Sequence, residues 1–393
     1  MGNIGDNLLD LVNRRELGKR MMGADFRTFC PWSESPTSIL KVSKDGLWQG
    51  TGCFDAIVIG GGALLAGPPF KTPGLQSFFL GAYPERFADK CPVYWNAVCS
   101  DSQYAASLSP VWRSYVQNAC SRIHAKTVRN QRTCEFLREC GVAGRIEVVP
   151  DPVLSLRPPS TRQPAARRKK RIGLALACPV FPASFLQRMQ DAFERDLDIV
   201  NWSVVAVQTE ALSRLLSFDA KDYMAVFHSL FKTFSDGEVE VAGFPADMYG
   251  DRTLAEQFGS EFPDVRVISI RDAEEACLWI ESLDCIVASR FHTCVLAVVV
   301  GTPVVAVDLS FDSIAMTSKL MEFMASTGLL ANYVTFEQLR AEPAALPNLV
   351  GSAESYRSVL HETHRDLYMA SQSHFDWLAG DLRSVSRIRE CPC

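Results

Sequence analysis

At 393 residues the chain is long enough for two or three domains of ordinary size. Hydrophobic residues make up 47% and charged residues 22%, the composition of a folded globular protein, which excludes a disordered chain. With 40 basic against 45 acidic side chains the net charge is −5, so no whole-molecule field favours nucleic acid or an anionic membrane as the partner.

The N-terminus, Met1-Gly2-Asn3-Ile4-Gly5-Asp6, has no apolar segment behind it and reads as no signal peptide. Asp6 stands where myristoylation wants Ser or Thr. The longest apolar stretch, Cys294 to Leu309, is broken by Gly301-Thr302-Pro303 and is too short to span a bilayer. Thirteen cysteines, none in a CxxC pair, read as reduced and mostly buried thiols. Cys391-Pro392-Cys393 reads as a frayed tail rather than a metal clip. The expectation is a soluble, cytoplasmic protein.

Along the chain, Leu8, Leu9, Leu11 and Val12 predict a helix after the opening Gly-Asn-Ile-Gly-Asp. Asp55 to Ile59 predicts a buried strand followed by Gly60-Gly61-Gly62, and Pro92 to Val98 another strand. Val111 to Cys120 reads as a helix and Ile123 to Val128 as a strand. Asn130 caps the next helix, and Ile146 to Val149 makes the last strand before Pro150-Asp151-Pro152. Arg157-Pro158-Pro159 through Arg167-Arg168-Lys169-Lys170-Arg171 cannot bury itself and reads as a solvated linker. Beyond it, strands are predicted at Arg171 to Ala177, Trp202 to Val207, Val239 to Ala242, Val265 to Ile268, Cys285 to Ala288 and Val304 to Val307. Helices lie between most of them, Phe185 to Phe193 among them, and a late helix runs from Tyr356 to Tyr368. Apolar strands alternating with amphipathic helices imply parallel sheets covered on both faces. The predicted organisation is 1–156, linker 157–171, 172–350, and a helical segment 351–393 packing back across the domains.

Two doubly wound domains put the carboxyl ends of their strands around a common cleft, where ligands of such sheets bind. Four segments are candidates for it. Gly5 and Asp6 suit either close backbone approach or a plain helix cap. Gly60, Gly61 and Gly62 suit a phosphate cradle or tight helix–strand packing. Arg129, just before the helix at Asn130, suits an anion. Ser289-Arg290-Phe291-His292 follows a buried strand and opens a helix, so Arg290 can fork onto a phosphate or carboxylate and His292 can exchange protons near neutrality. An arginine paired with a carboxylate and a histidine satisfied by backbone account for the same residues. His361 and His364, one helical turn apart, have no third ligand and read as a solvated face rather than a metal site.

In combination these segments resemble the polysaccharide pyruvyl transferase family. The resemblance rests on Gly2-Asn3-Ile4-Gly5-Asp6, Asp55 to Gly62, Thr127-Val128-Arg129-Asn130, Pro150-Asp151-Pro152, Ser289-Arg290-Phe291-His292 and Gly301-Thr302-Pro303. Where relatives carry a glycine-rich turn after the third strand, this chain has Ala97-Val98-Cys99-Ser100, and Ser310 to Thr317 looks like an insertion. The resemblance implies a GT-B-like α/β fold, two Rossmann-like doubly wound domains facing a central cleft. It also implies transfer of the enolpyruvyl group of phosphoenolpyruvate to sugar hydroxyls as a ketal, with no cofactor or metal required. On that basis Arg290 and Arg129 bind the donor's anionic groups, with Ser289 and the Gly60–Gly62 amides assisting, and His292 handles a proton. Asn3, Gly5, Asp6 or Asp151 would serve the glycan acceptor or the structure. A nucleotide-sugar glycosyltransferase of the same fold, with Glu274, Glu275 or Glu281 on the ribose, and an inactive glycan- or partner-binding relative are the competing readings.

Overall fold

The computed structural model describes residues 4–26, 40–42, 48–50, 54–63, 91–99, 110–157, 169–177, 220–234, 238–243, 251–309 and 318–389. The chain divides into two compact units, Met1–Pro152 with Gln187–Thr209 and Ala370–Cys393, and Val153–Leu186 with Glu210–Met369.

In the first unit, helix α1 (Ile4–Arg20) is followed by an antiparallel pair of short strands, β1 (Leu40–Val42) and β2 (Trp48–Gly50). A parallel sheet then forms in chain order from β3 (Ile57–Ala63), β4 (Val93–Cys99), β5 (Ala125–Val128) and β6 (Ile146–Val148). Helix α2 (Pro110–Ser121) precedes β5, and α3 (Gln131–Glu139) precedes β6. Trp95, Val98, Val116, Val128 and Leu137 bury one face of this sheet.

The three glycines lie inside β3 rather than in a turn after it. A side chain on Gly60 would overlap Asn13 of α1, and one on Gly61 would meet Leu9 at 2.5 Å. Their smallness is what lets α1 lie against the strand. β4 breaks register with β5 between Trp95 and Val98, and Ala97 takes φ +56 there. That region costs an L-residue about 1–2 kcal/mol. The displaced backbone groups are met by Thr127, whose Oγ1 accepts from Ala97 N at 3.0 Å and donates to Trp95 O at 2.7 Å. The backbone conformation suited to glycine is therefore present in β4, carried by an alanine.

The second unit holds β7 (Arg171–Ala175), α4 (Ala220–Thr233), β8 (Glu238–Gly243), α5 (Asp251–Glu261), β9 (Arg266–Ser269) and α6 (Ala273–Glu281). β10 (Cys285–Ala288), α7 (Phe291–Val300), β11 (Val304–Asp308), α8 (Lys319–Ser326) and β12 (Tyr333–Thr335) follow. Helices α9 (Phe336–Ala341), α10 (Ala345–Ser352) and α11 (Arg357–Arg389) end the described chain, with α11 belonging to the first unit from Ala370 onward. The six strands are parallel, in the order β12-β11-β10-β7-β8-β9. Counted from β7 this is 6-5-4-1-2-3, the Rossmann order, whose direction of winding reverses between β7 and β10. β10 and β11 are buried at every position, as a sheet covered on both faces requires.

The predicted strands of this half appear within a residue or two of their expected bounds, except Trp202 to Val207, which lies outside the described residues together with the helix at Phe185 to Phe193, Ser310 to Thr317 and Cys391 to Cys393. β12 was not expected. The late helix is 33 residues long, and His364 on it is buried instead of solvated, its Nε2 3.4 Å from Leu154 O. Burial pushes its pKa down. The eight described cysteines are buried and unbridged, in keeping with reduced thiols. No described helix is long and apolar enough to cross a membrane.

Candidate functional site

Ligands of a doubly wound sheet bind beyond the carboxyl ends of the strands at the winding reversal. In the second unit that point is occupied by Ala175 to Ala177 leaving β7 and Ser289 to His292 leaving β10. Ser289 fastens the two exits together, its Oγ accepting from Ala177 N, while Ser289 N donates to Ala175 O at 3.1 Å. Arg290 is the extended N-cap residue of α7, with φ −93 and ψ 129, and its side chain makes no capping bond to the helix. His292 follows in the first turn, half-buried, its ring edge-on to Phe291 at 5.2 Å. Phe291 is anchored in turn on Phe323 of α8 at 5.4 Å.

The far end of α7 explains Gly301-Thr302-Pro303. Gly301 closes the helix at φ +74, a value that suits glycine, and Thr302 N returns to Ala297 O at 2.9 Å. Thr302 Oγ1 donates to Ile280 O at 2.8 Å, and Pro303 O accepts from Ile286 N at 2.9 Å. These bonds lock α7 between α6 and β10 and so fix where Arg290 and His292 stand.

At the carboxyl edge of the first unit's sheet, Arg129 and Asp151 are partners. Arg129 Nη1 donates to Asp151 Oδ2 at 2.9 Å, with side-chain exposures of 5% and 2%. Burial alone would lower the guanidinium's pKa, but Cys99 and Asp151 more than reverse that and raise it. Asn130 caps α3 through Oδ1, which accepts from Thr133 N at 2.9 Å, and its Nδ2 lies 3.7 Å from Cys99 Sγ. Gly5 and Asp6 fall within the first turns of α1, and Asn3 lies outside the described residues.

One pair at the second unit's edge was missed in the sequence. Asp308 ends β11 with 5% exposure, and Tyr333 of β12 donates to its Oδ2 at 2.8 Å. A single acid closing an otherwise apolar strand was the available signal.

A family model described as polysaccharide pyruvyl transferase matches residues 3–310. The chain belongs to that family. The match takes in α1, the Arg129–Asp151 pair, the Arg290–His292 turn and Asp308. This polysaccharide pyruvyl transferase family member is a transferase, and two parallel sheets of four and six strands make the α/β framework of its described residues. No curated protein matches it in sequence. Solved structures similar to it include HepE of Anabaena in complex with UDP-glucose, at 11% identity over 84% of this chain and 78% of that one, TM-score 0.41. Others are the accessory secretory proteins 1, 2 and 3 of Streptococcus pneumoniae (11% identity, 85% and 54% coverage, TM-score 0.45) and a TarM variant of S. aureus with Fondaparinux, alpha-GlcNAc-glycerol and UDP (12%, 77% and 53%, 0.42).

Proposed function

We propose that this pyruvyl transferase takes phosphoenolpyruvate as its donor and that the Arg290–His292 turn is where the donor's chemistry happens. The observation that carries the reading is the position of Arg290 and His292 at the winding reversal of a Rossmann-ordered sheet, at the N-terminus of α7. A planar guanidinium there can hold phosphate or carboxylate in a fork, and the helix N-terminus favours the same charge. His292 gives a proton to the donor's methylene carbon, which creates positive character at C2. One sugar hydroxyl adds to C2 and loses its proton, the C2–O bond to phosphate breaks, and a second hydroxyl closes the ketal. Of the two hydroxyl protons, one replaces that given to the methylene and the other leaves on phosphate.

Arg129 enters this scheme as half of a buried ion pair, shaping the first sheet's edge together with Asp151. Ser289 holds the β7 and β10 exits in place. Gly60 and Gly61 seat α1. The acceptor is a glycan hydroxyl pair, the scheme calls on no metal or organic cofactor, and a phosphoenolpyruvate-dependent step belongs in the cytoplasm. The test is His292→Ala. Phosphate release from phosphoenolpyruvate in the presence of acceptor should fall by about 10²–10⁴-fold with donor binding kept, the range for loss of a general acid. Wild-type turnover in this variant removes His292 from the role.

A further inference from the structure

The proton that leaves the acceptor hydroxyl needs a base, and the second unit carries a carboxylate in the right place. Asp308 is the last residue of β11, two residues past Ala306, whose register partner is Ala288, the last residue of β10; Arg290, the N-cap of α7, is likewise two residues past Ala288. Ala306, two residues before Asp308 on β11, pairs with Tyr333, so the phenol and the carboxylate project from the same face of the sheet. That is the face opposite Val305, Val307 and Val334, which join the large apolar core. Cys294, in the turn of α7 after His292, is buried, and after burial itself the charge of Asp308 is what pushes its thiol's pKa up. By register the carboxylate stands level with Arg290 at the carboxyl end of the sheet, and its charge is felt at Cys294 of α7.

An acid this deeply buried costs several kcal/mol unless its oxygens are held. Tyr333 Oη holds one at 2.8 Å and fixes the carboxylate's orientation from the next strand.

Building on the donor site proposed above, we infer that Asp308 is the base that accepts the proton of the attacking sugar hydroxyl, with Tyr333 as its positioning residue. The oxygen of that hydroxyl forms its bond to C2 as its proton passes to Asp308, and the departing phosphate carries a proton away when the ketal closes. The carboxylate and the donor are then neighbours of like charge, which gives the assignment a signature that needs no knowledge of the acceptor.

The experiment measures phosphoenolpyruvate affinity calorimetrically, and phosphate release with methyl hexopyranosides as diol probes, for the full-length wild type, Asp308→Asn, Asp308→Glu and Tyr333→Phe. Neutralising Asp308 removes repulsion at short range, so Asp308→Asn binds phosphoenolpyruvate about three- to tenfold tighter while phosphate release drops by about 100-fold or more. Asp308→Glu keeps the wild-type donor affinity. Tyr333→Phe keeps it too and lowers kcat about tenfold, and it carries the test if Asp308→Asn does not fold. A folded Asp308→Asn that binds the donor no tighter than wild type, or Tyr333→Phe with full turnover, overturns the assignment alone. A wild type that takes no phosphoenolpyruvate overturns the functional reading and this assignment with it.

Discussion

Glu240 shows how a single buried residue ties the second unit together. It is 1% exposed in β8, and its Oε1 accepts from Arg171 Nη2 at 2.6 Å and from Arg266, while Oε2 accepts from Trp279 Nε1 at 2.8 Å. Three elements thus converge on one carboxylate: the first residues of β7 and β9, and helix α6. Glu240→Gln leaves the Arg171 guanidinium without its counter-charge, a loss of about 3 kcal/mol. Urea unfolding should show that cost with little change in donor affinity, since Glu240 lies on β8, away from the α7 turn; an unchanged midpoint refutes the cluster's importance. The same logic decides Arg129, whose neighbour Asp151 could not be identified from the sequence because 22 residues separate them. Arg129 and Arg290 both precede a helix at a strand exit, and only the fold shows that one is buried against Asp151 while the other stands at the winding reversal of the second unit's sheet.

At the scale of elements, α1 and β3 are the clearest case. Gly61 has φ +48 and Leu9 against its α-carbon, so Gly61→Ala pays both for the left-handed backbone and for overlap, about 2–4 kcal/mol together. A large fall in melting temperature with the phosphoenolpyruvate response intact is the expected outcome; an unchanged melting temperature with the response lost would return the glycines to the donor. α11 makes a second case, through pH. His374 on this helix sits 2.7 Å from Asn96 Oδ1, and Asn96 Nδ2 donates to Asn13 of α1 at 2.7 Å. Burial lowers the His374 pKa to about 4. Its unfolded value is near 6.5, so the unfolded chain takes up the proton first. Stability is therefore full above pH 6.5 and falls as pH drops from there to about 4, by up to about 3 kcal/mol from His374, with His364 adding in the same direction. Melting curves from pH 7.5 to 4 should show this slope, and His374→Gln should flatten it. The apolar strands were legible because they are short runs, rich in β-branched residues and bounded by turn or charged residues, whereas the longer apolar run of α7 is a helix. β12 was not: three residues, Tyr333-Val334-Thr335, are too few for a period. His361 and His364 share a helix face by spacing, yet only packing against Leu154 shows that one of them is interior.

For the whole molecule, the sequence contained enough to predict two parallel α/β sheets, and the family match agrees. Strand order was out of its reach, because register between β7 and β10 depends on residues more than a hundred positions apart. That order is what turns Ser289 to His292 from one helix start among several into the residues at the winding reversal. The account's central claim is that this turn holds the donor. Thermal unfolding of the wild type and Arg290→Ala, each with and without phosphoenolpyruvate, tests it most directly. Donor at about 100 times Kd adds roughly 2.7 kcal/mol, a rise of a few degrees. The account predicts that rise in the wild type and its loss in Arg290→Ala. An equal rise in both proteins, or a rise with UDP and none with phosphoenolpyruvate, would contradict it.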